Sequence, residues 1–168
     1  MSPLAAQNRL VAGTLISGLF FIALALFFVL PTDEAPPLWV PVAQLAAGVA
    51  VHVLVETIGY RLTALDPSLD DDAATAQAMV RYQGAMIVRF ALIESIAIAS
   101  IALAFVLPEG GFLAFAGGAV VSLVLMGVHV WPWTRPVGRS ADALEAGGRR
   151  SGVREAFGLG GSGPIQRL

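Results

Sequence analysis

His52 and Glu56 lie in LAAGVAVHVLVETIGY, and Arg89 and Glu94 lie in MIVRFALIESIAIAS. Both stretches are otherwise too apolar to hold ionised groups. Charges in hydrocarbon cost from about 2.5 kcal/mol upward, so such side chains turn toward protein, water or a partner and mark proton or ion chemistry. His52 and Glu56 are four residues apart and share a helical face, close enough to share a proton or a hydrogen bond. Glu94 would meet them if the two apolar segments pack face to face. Arg89 would then reach Glu56, or extend to lipid phosphate along its own apolar stem. Glu94, His52, Glu56 and Arg89 are therefore the candidate proton- or cation-binding set. A structural reading stands beside it, with Glu94 a hydrogen-bonded neutral acid and the His52–Glu56 pair holding helices together. His129, two residues before Trp131, reads as an interfacial residue.

Other chemistries fit less well. The chain has no cysteine, which excludes disulfides and thiolate metal sites. Two histidines could supply haem axial ligands, but His129 falls at a shallower depth than His52. DPSLDDD lacks the spacing and the glycine of a calcium loop. No nucleophile–base pair, phosphate-cradling glycine loop or nucleic-acid surface is present. The expectation is a protein that is not an enzyme, with no catalytic or metal residues, no cofactor and no nucleic-acid partner.

The elements that must position these residues are membrane spans. Of 168 residues, 57% are hydrophobic and only 13% charged, against roughly a quarter charged in soluble domains. Four apolar stretches, about 10–30, 38–59, 86–107 and 112–130, each approach the ~20 residues needed to cross a bilayer. None shows the polar face of a soluble amphipathic helix. The fold class is an all-α membrane protein with a four-helix transmembrane domain at 1–133. A basic, partly disordered cytoplasmic tail follows at 134–168. The first stretch reads as an uncleaved span, because its apolar run exceeds the ~7–15 residues of a signal peptide and PTDEAPP offers no cleavage site.

Arginine placement sets the orientation. PTDEAPPL and PEGG carry only acidic charges, whereas Arg9, Arg61, Arg81, Arg135 and Arg139 fall on the other side, with more arginines in the tail. A multi-pass protein of the cell membrane with both termini cytoplasmic is expected. Asp70, Asp71 and Asp72 precede AATAQAMVRYQ and would start the third helix near Asp72, extending it two to three turns into the cytoplasm. In the tail, Ser140 would cap a short helix through Ala146, the Gly/Ser-rich end from Gly158 would be mobile, and the arginines would draw anionic lipid headgroups.

An internal echo suggests two repeated helical hairpins. ALFFVLP from Ala25 returns as ALAFVLP from Ala102, and the same shift carries His52 onto His129.

MIVRFALIESIAIASIALAFV also resembles the carboxylate-bearing helix of the proteolipid c subunit of rotary ATP synthases. That helix likewise has an arginine-containing cytoplasmic connection, an ALIE-like segment and an apolar run. The resemblance would make Glu94 the counterpart of the family's proton- or sodium-binding carboxylate. The chain departs from that family in its second span, which lacks alternate glycines and carries His52 and Glu56, and in having two further spans. Its layout also resembles small uncharacterised four-span bacterial membrane proteins. The functional expectation is a non-enzymatic accessory or interaction protein, bound to a partner membrane subunit or to its own copies. The alternative is a proton- or cation-handling protein using the intramembrane Glu/His cluster.

Overall fold

A computed structural model describes residues 2–160. These residues form six helices: α1 (Pro3–Val29), α2 (Trp39–Ile58), α3 (Asp71–Val106), α4 (Phe112–His129), α5 (Thr134–Glu145) and α6 (Val153–Ala156). The first four are long and apolar enough to cross a membrane.

Local chemistry sets their ends. Ser2 caps α1, its Oγ accepting from the Ala5 amide at 3.2 Å with Pro3 behind it. Asp70 caps α3, its carboxylate accepting from the Ala73 amide at 2.7 Å, and Asp71 and Asp72 fill the first turn. At 36 residues, α3 is about 54 Å long, against a hydrocarbon core of about 30 Å; its polar N-terminal turns project beyond the apolar part. The tight turn from α3 into α4 depends on Gly111, at φ 91°. A Cβ there would also sit 2.7 Å from the Pro31 carbonyl oxygen, which accepts from the Phe112 amide at 2.8 Å. That bond ties the α3–α4 turn to the α1–α2 loop.

The antiparallel pair α3 and α4 forms the centre, with α2 packed on both and α1 on both. Small residues allow the close approach. A Cβ on Gly118 would lie 1.8 Å from Ser100 Oγ, and one on Gly48 would lie 2.6 Å from a Val121 methyl. Gln44 seals this layer, donating to Ser100 Oγ at 3.0 Å and to the Ala114 carbonyl at 2.6 Å. Large apolar side chains such as Phe21, Phe28, Leu45, Val49 and Phe105 stay exposed, which suits a lipid surround. Only 11% of the most apolar window of α1 is buried, so α1 is the most peripheral span.

Residues 134–160 pack on the bundle rather than forming the partly disordered tail expected from their composition. Val137, Ala141 and Leu144 of α5 and Val153 of α6 are fully buried. The Leu65 amide donates to the Leu144 carbonyl at 2.8 Å, and the Ser2 amide donates to Ala156 at 3.0 Å. Glycine and arginine content hid an apolar stripe recurring every three to four residues. The short helix expected to start at Ser140 instead starts at Thr134, leaving Ser140 buried in its middle. Glu145 pins the turn into α6, accepting from Ser151 N at 3.0 Å, Ser151 Oγ at 2.6 Å and Arg154 at 2.9 Å. Burial raises the Glu145 pKa, but the Ser151 hydrogen bonds and Arg154 outweigh it and hold the carboxyl below its ordinary range. Most of the Gly/Ser-rich end expected to be mobile, residues 161–168, lies outside the described residues.

Candidate functional site

The C-terminal ends of α2 and α4 come together at the arginine-bearing end of the bundle, and α3 and α5 supply the rest of a polar cluster. His52 Nδ1 lies 2.9 Å from His129 Nε2. The other nitrogen of His129, Nδ1, lies 3.1 Å from the Tyr60 hydroxyl and 3.6 Å from a Glu56 oxygen. Two proton arrangements satisfy this chain. Tyr60 donates to His129, which donates to His52; or His52 donates to His129, which donates to Tyr60 or Glu56. Passing from the first to the second shifts a proton at each step, so Tyr60 must take up one proton and His52 must release one at its far ring nitrogen. Burial pushes the Tyr60 phenol above its ordinary pKa, against the pull of Arg89 and Arg135, so its hydroxyl keeps its proton.

Glu56 is held by α5. Arg135 contacts one carboxylate oxygen at 2.6 Å and Arg139 contacts the other. The two arginines are four residues apart, so one helical face presents both. Arg139 also lies over the Tyr60 ring, 4.6 Å from its centroid.

Arg89 is fully buried. It makes no ion pair with Glu56. Instead its Nε donates to the His129 carbonyl at 2.9 Å and its Nη1 to the Gly59 carbonyl at 3.1 Å, with Ser140 Oγ at 3.5 Å. Those carbonyls end α4 and α2, so one guanidinium caps two helices. Each helix C-terminus carries about −0.5 charge, and together they offset part of the cation's charge without a direct ion pair. The Tyr60 ring adds a cation–π contact at 4.6 Å. Gly59 permits the approach, because a Cβ there would lie 2.8 Å from Arg89 Cγ. Arg89 Nη2 and the Tyr82 hydroxyl are buried with no partner among the described residues.

His52, Glu56 and His129 each offer a ligand atom within 4.8 Å of the others, a donor set that zinc accepts. Electrostatics argue against a divalent cation there. Both Glu56 oxygens are engaged by guanidiniums, and Arg89 stands behind His129. At an effective dielectric near 20, a guanidinium within several ångströms repels a divalent ion by several kcal/mol. With neutral histidines the cluster carries three cations against one carboxylate, and it favours anions.

Glu94 does not join the cluster. The α3 residues that line the α2 side are Ile96, Ala99, Ser100 and Leu103. At 3.6 residues per turn Glu94 lies roughly 180° around the helix from the middle of that face. It shares its flank with Ile87, Ile98 and Phe105, which are 45%, 59% and 57% exposed. Glu94 has no hydrogen-bond or ion-pair partner among the described residues. Of the four candidate residues, then, the fold brings His52 and Glu56 together, assigns Arg89 to helix capping and leaves Glu94 on an outer flank.

Sequence reasoning missed four members of the cluster. His129 is buried and central, and the shift that maps His52 onto it was the available signal. Tyr60 closes the second apolar stretch and carries no signal of its own in the sequence. Arg135 and Arg139 read as topological charges, although their spacing of four already marked a shared helical face. No known family model, curated protein or solved structure matches the chain.

Proposed function

We propose that this protein is a non-enzymatic accessory subunit of the cell membrane, spanning it four times with both termini and the arginine-rich end cytoplasmic. In this reading it docks a partner membrane helix along the Glu94 flank of α3. The supporting observation is Glu94 itself, without a partner among the described residues and set among exposed isoleucine and phenylalanine side chains. A carboxylate left facing lipid is costly, and a basic or amide side chain from a neighbouring helix would satisfy it by a charge-assisted hydrogen bond. A second copy of this chain would bring the exposed hydroxyls of Thr14 and Ser17 on α1, which are weaker donors than a cation. The basic end meets anionic headgroups of the adjoining leaflet. The resemblance of the third span to a proteolipid helix fits a carboxylate that works against another subunit. A hydrophobic carbodiimide tests the reading. Glu94 should be labelled in the purified chain and shielded in native membranes, where the partner covers it; equal labelling in both would contradict docking at this flank.

The reversible hydrogen-bonded chain of His52, His129 and Tyr60 favours a second reading, proton handling at the arginine end. His52→Phe and His129→Phe should each abolish any dissipation of a pH gradient by the wild-type protein in proteoliposomes. A gradient that decays no faster with wild type than in empty vesicles removes this reading.

A further inference from the structure

A groove of about 440 Å³ runs between α2 and α4 on the outer surface of the bundle. Leu45 and Val49 form one wall, Val120 and Val124 the other, Gly48 contributes to its floor, and His52 closes its polar end. The α2 stripe continues from His52 to Glu56, where α5 places Arg135 and Arg139. From Leu45 to His52 the groove is about 10 Å long, most of the ~15 Å depth of one leaflet's hydrocarbon. Apolar walls thus lie at acyl-chain depth, and a polar group stands at the boundary. Two guanidiniums follow about one helical turn further out. They are 47% and 41% exposed, and each spends only part of its five N–H donors on Glu56. His52 Nδ1 is engaged by His129, leaving the far ring nitrogen available to an ester carbonyl.

We infer that this groove is a specific site for one anionic phospholipid of the adjoining leaflet. An acyl chain lies between α2 and α4, the glycerol esters lie at His52, and the phosphate lies on Arg135 and Arg139. Charge complementarity selects the occupant, since the groove opens onto a cluster with excess positive charge. The inference deepens the lipid contact proposed above and rests on α2 and α4 spanning the membrane.

Native mass spectrometry of the detergent-purified chain, titrated with phosphatidylglycerol or with phosphatidylcholine of identical acyl chains, tests it. One phosphatidylglycerol should be retained with a preference of about 10- to 30-fold, the contribution of two arginines near the headgroup. The double variant R135Q/R139Q should bring the preference within about twofold, while R149Q/R150Q, whose side chains pair with Asp71 and Glu155 rather than with Glu56, should leave it unchanged. Val49→Trp, at a position 66% exposed, should fill the groove and weaken binding of both lipids. It carries the test alone if the arginine pair proves necessary for folding through Glu56. Equal binding of the two lipids, or full retention by Val49→Trp, would overturn the site. Equal loss of preference in both arginine pairs would also overturn it, leaving a general surface attraction. Failure of the membrane-spanning reading would appear separately, as extraction of the chain from membranes by alkaline carbonate.

Discussion

Arg89 should be the most costly polar side chain to remove. Arg89→Met keeps much of the volume and the apolar stem but deletes the cap on two helices. Each terminus loses its cation, an interaction of up to about 2 kcal/mol in a partly buried setting. The His129 and Gly59 carbonyls lose donors at 2.9 and 3.1 Å, and the Tyr60 contact at 4.6 Å disappears. Relief from burying the guanidinium offsets part of this, so a net loss of about 3–5 kcal/mol is expected. Arg89→Lys keeps the charge but cannot span both carbonyls with one planar fork, and should fall between wild type and Met. Arg81 provides the control. It donates to the Thr63 and Ala64 carbonyls at 2.7 and 2.9 Å but at the surface, and Arg81→Met should cost under about 1 kcal/mol. Equilibrium unfolding in mixed micelles, followed by the fluorescence of Trp131 and Trp133, measures all three. A loss below about 1 kcal/mol for Arg89→Met would refute the double-cap argument.

Gly118→Ala places a methyl 1.8 Å from Ser100 Oγ and should destabilise by about 1–3 kcal/mol, whereas Gly18→Ala, with nothing within 4 Å, should be neutral or slightly stabilising; thermal scans in detergent compare them. Glu145→Gln should cost about 1 kcal/mol at neutral pH. Because the folded pKa of Glu145 lies below its ordinary value of 4.5, its contribution is present above that value and fades as pH falls through the lower folded one; wild type should lose its advantage over the variant only in acid. Reporter fusions at Pro36 and Gly110 should read as outside and those at Asp71 and Ser151 as inside, and an inside reading at Pro36 would reverse the orientation.

The spans were legible because hydrocarbon demands long apolar runs, and α3 begins within a residue of the position that Asp70–Asp72 implied. The packing partners were less so. Arg89 looked like a match for Glu56, yet helix C-termini carry negative charge that no residue letter shows, and the carbonyls of Gly59 and His129 took it. Glu56 went to Arg135 and Arg139 because α5 folds back over the bundle, a contact hidden behind glycine- and arginine-rich composition. Grouping Glu94 with His52 requires the two spans to pack face to face, which a similar depth along the two helices allows but does not impose. Depth fixes height in the bilayer but not direction around the helix, and the α2 face of α3 runs through Ile96, Ala99 and Leu103. The shift that carries His52 onto His129 implies only a repeat; the contact between the two rings is not expected from it, because His129 reads as a shallower, interfacial residue.

Photo-crosslinking from the Glu94 flank tests docking most directly. A photoreactive amino acid at Ile98, one turn from Glu94 and 59% exposed, should yield a discrete adduct with another membrane protein in intact membranes. The same probe at Val124, on the outer face of α4 and 61% exposed, should not give that adduct. Glu94→Ala should sharply reduce the Ile98 adduct while leaving the amount of chain in the membrane unchanged. An Ile98 probe that captures only lipid, or an adduct indifferent to Glu94→Ala, would contradict docking through this carboxylate.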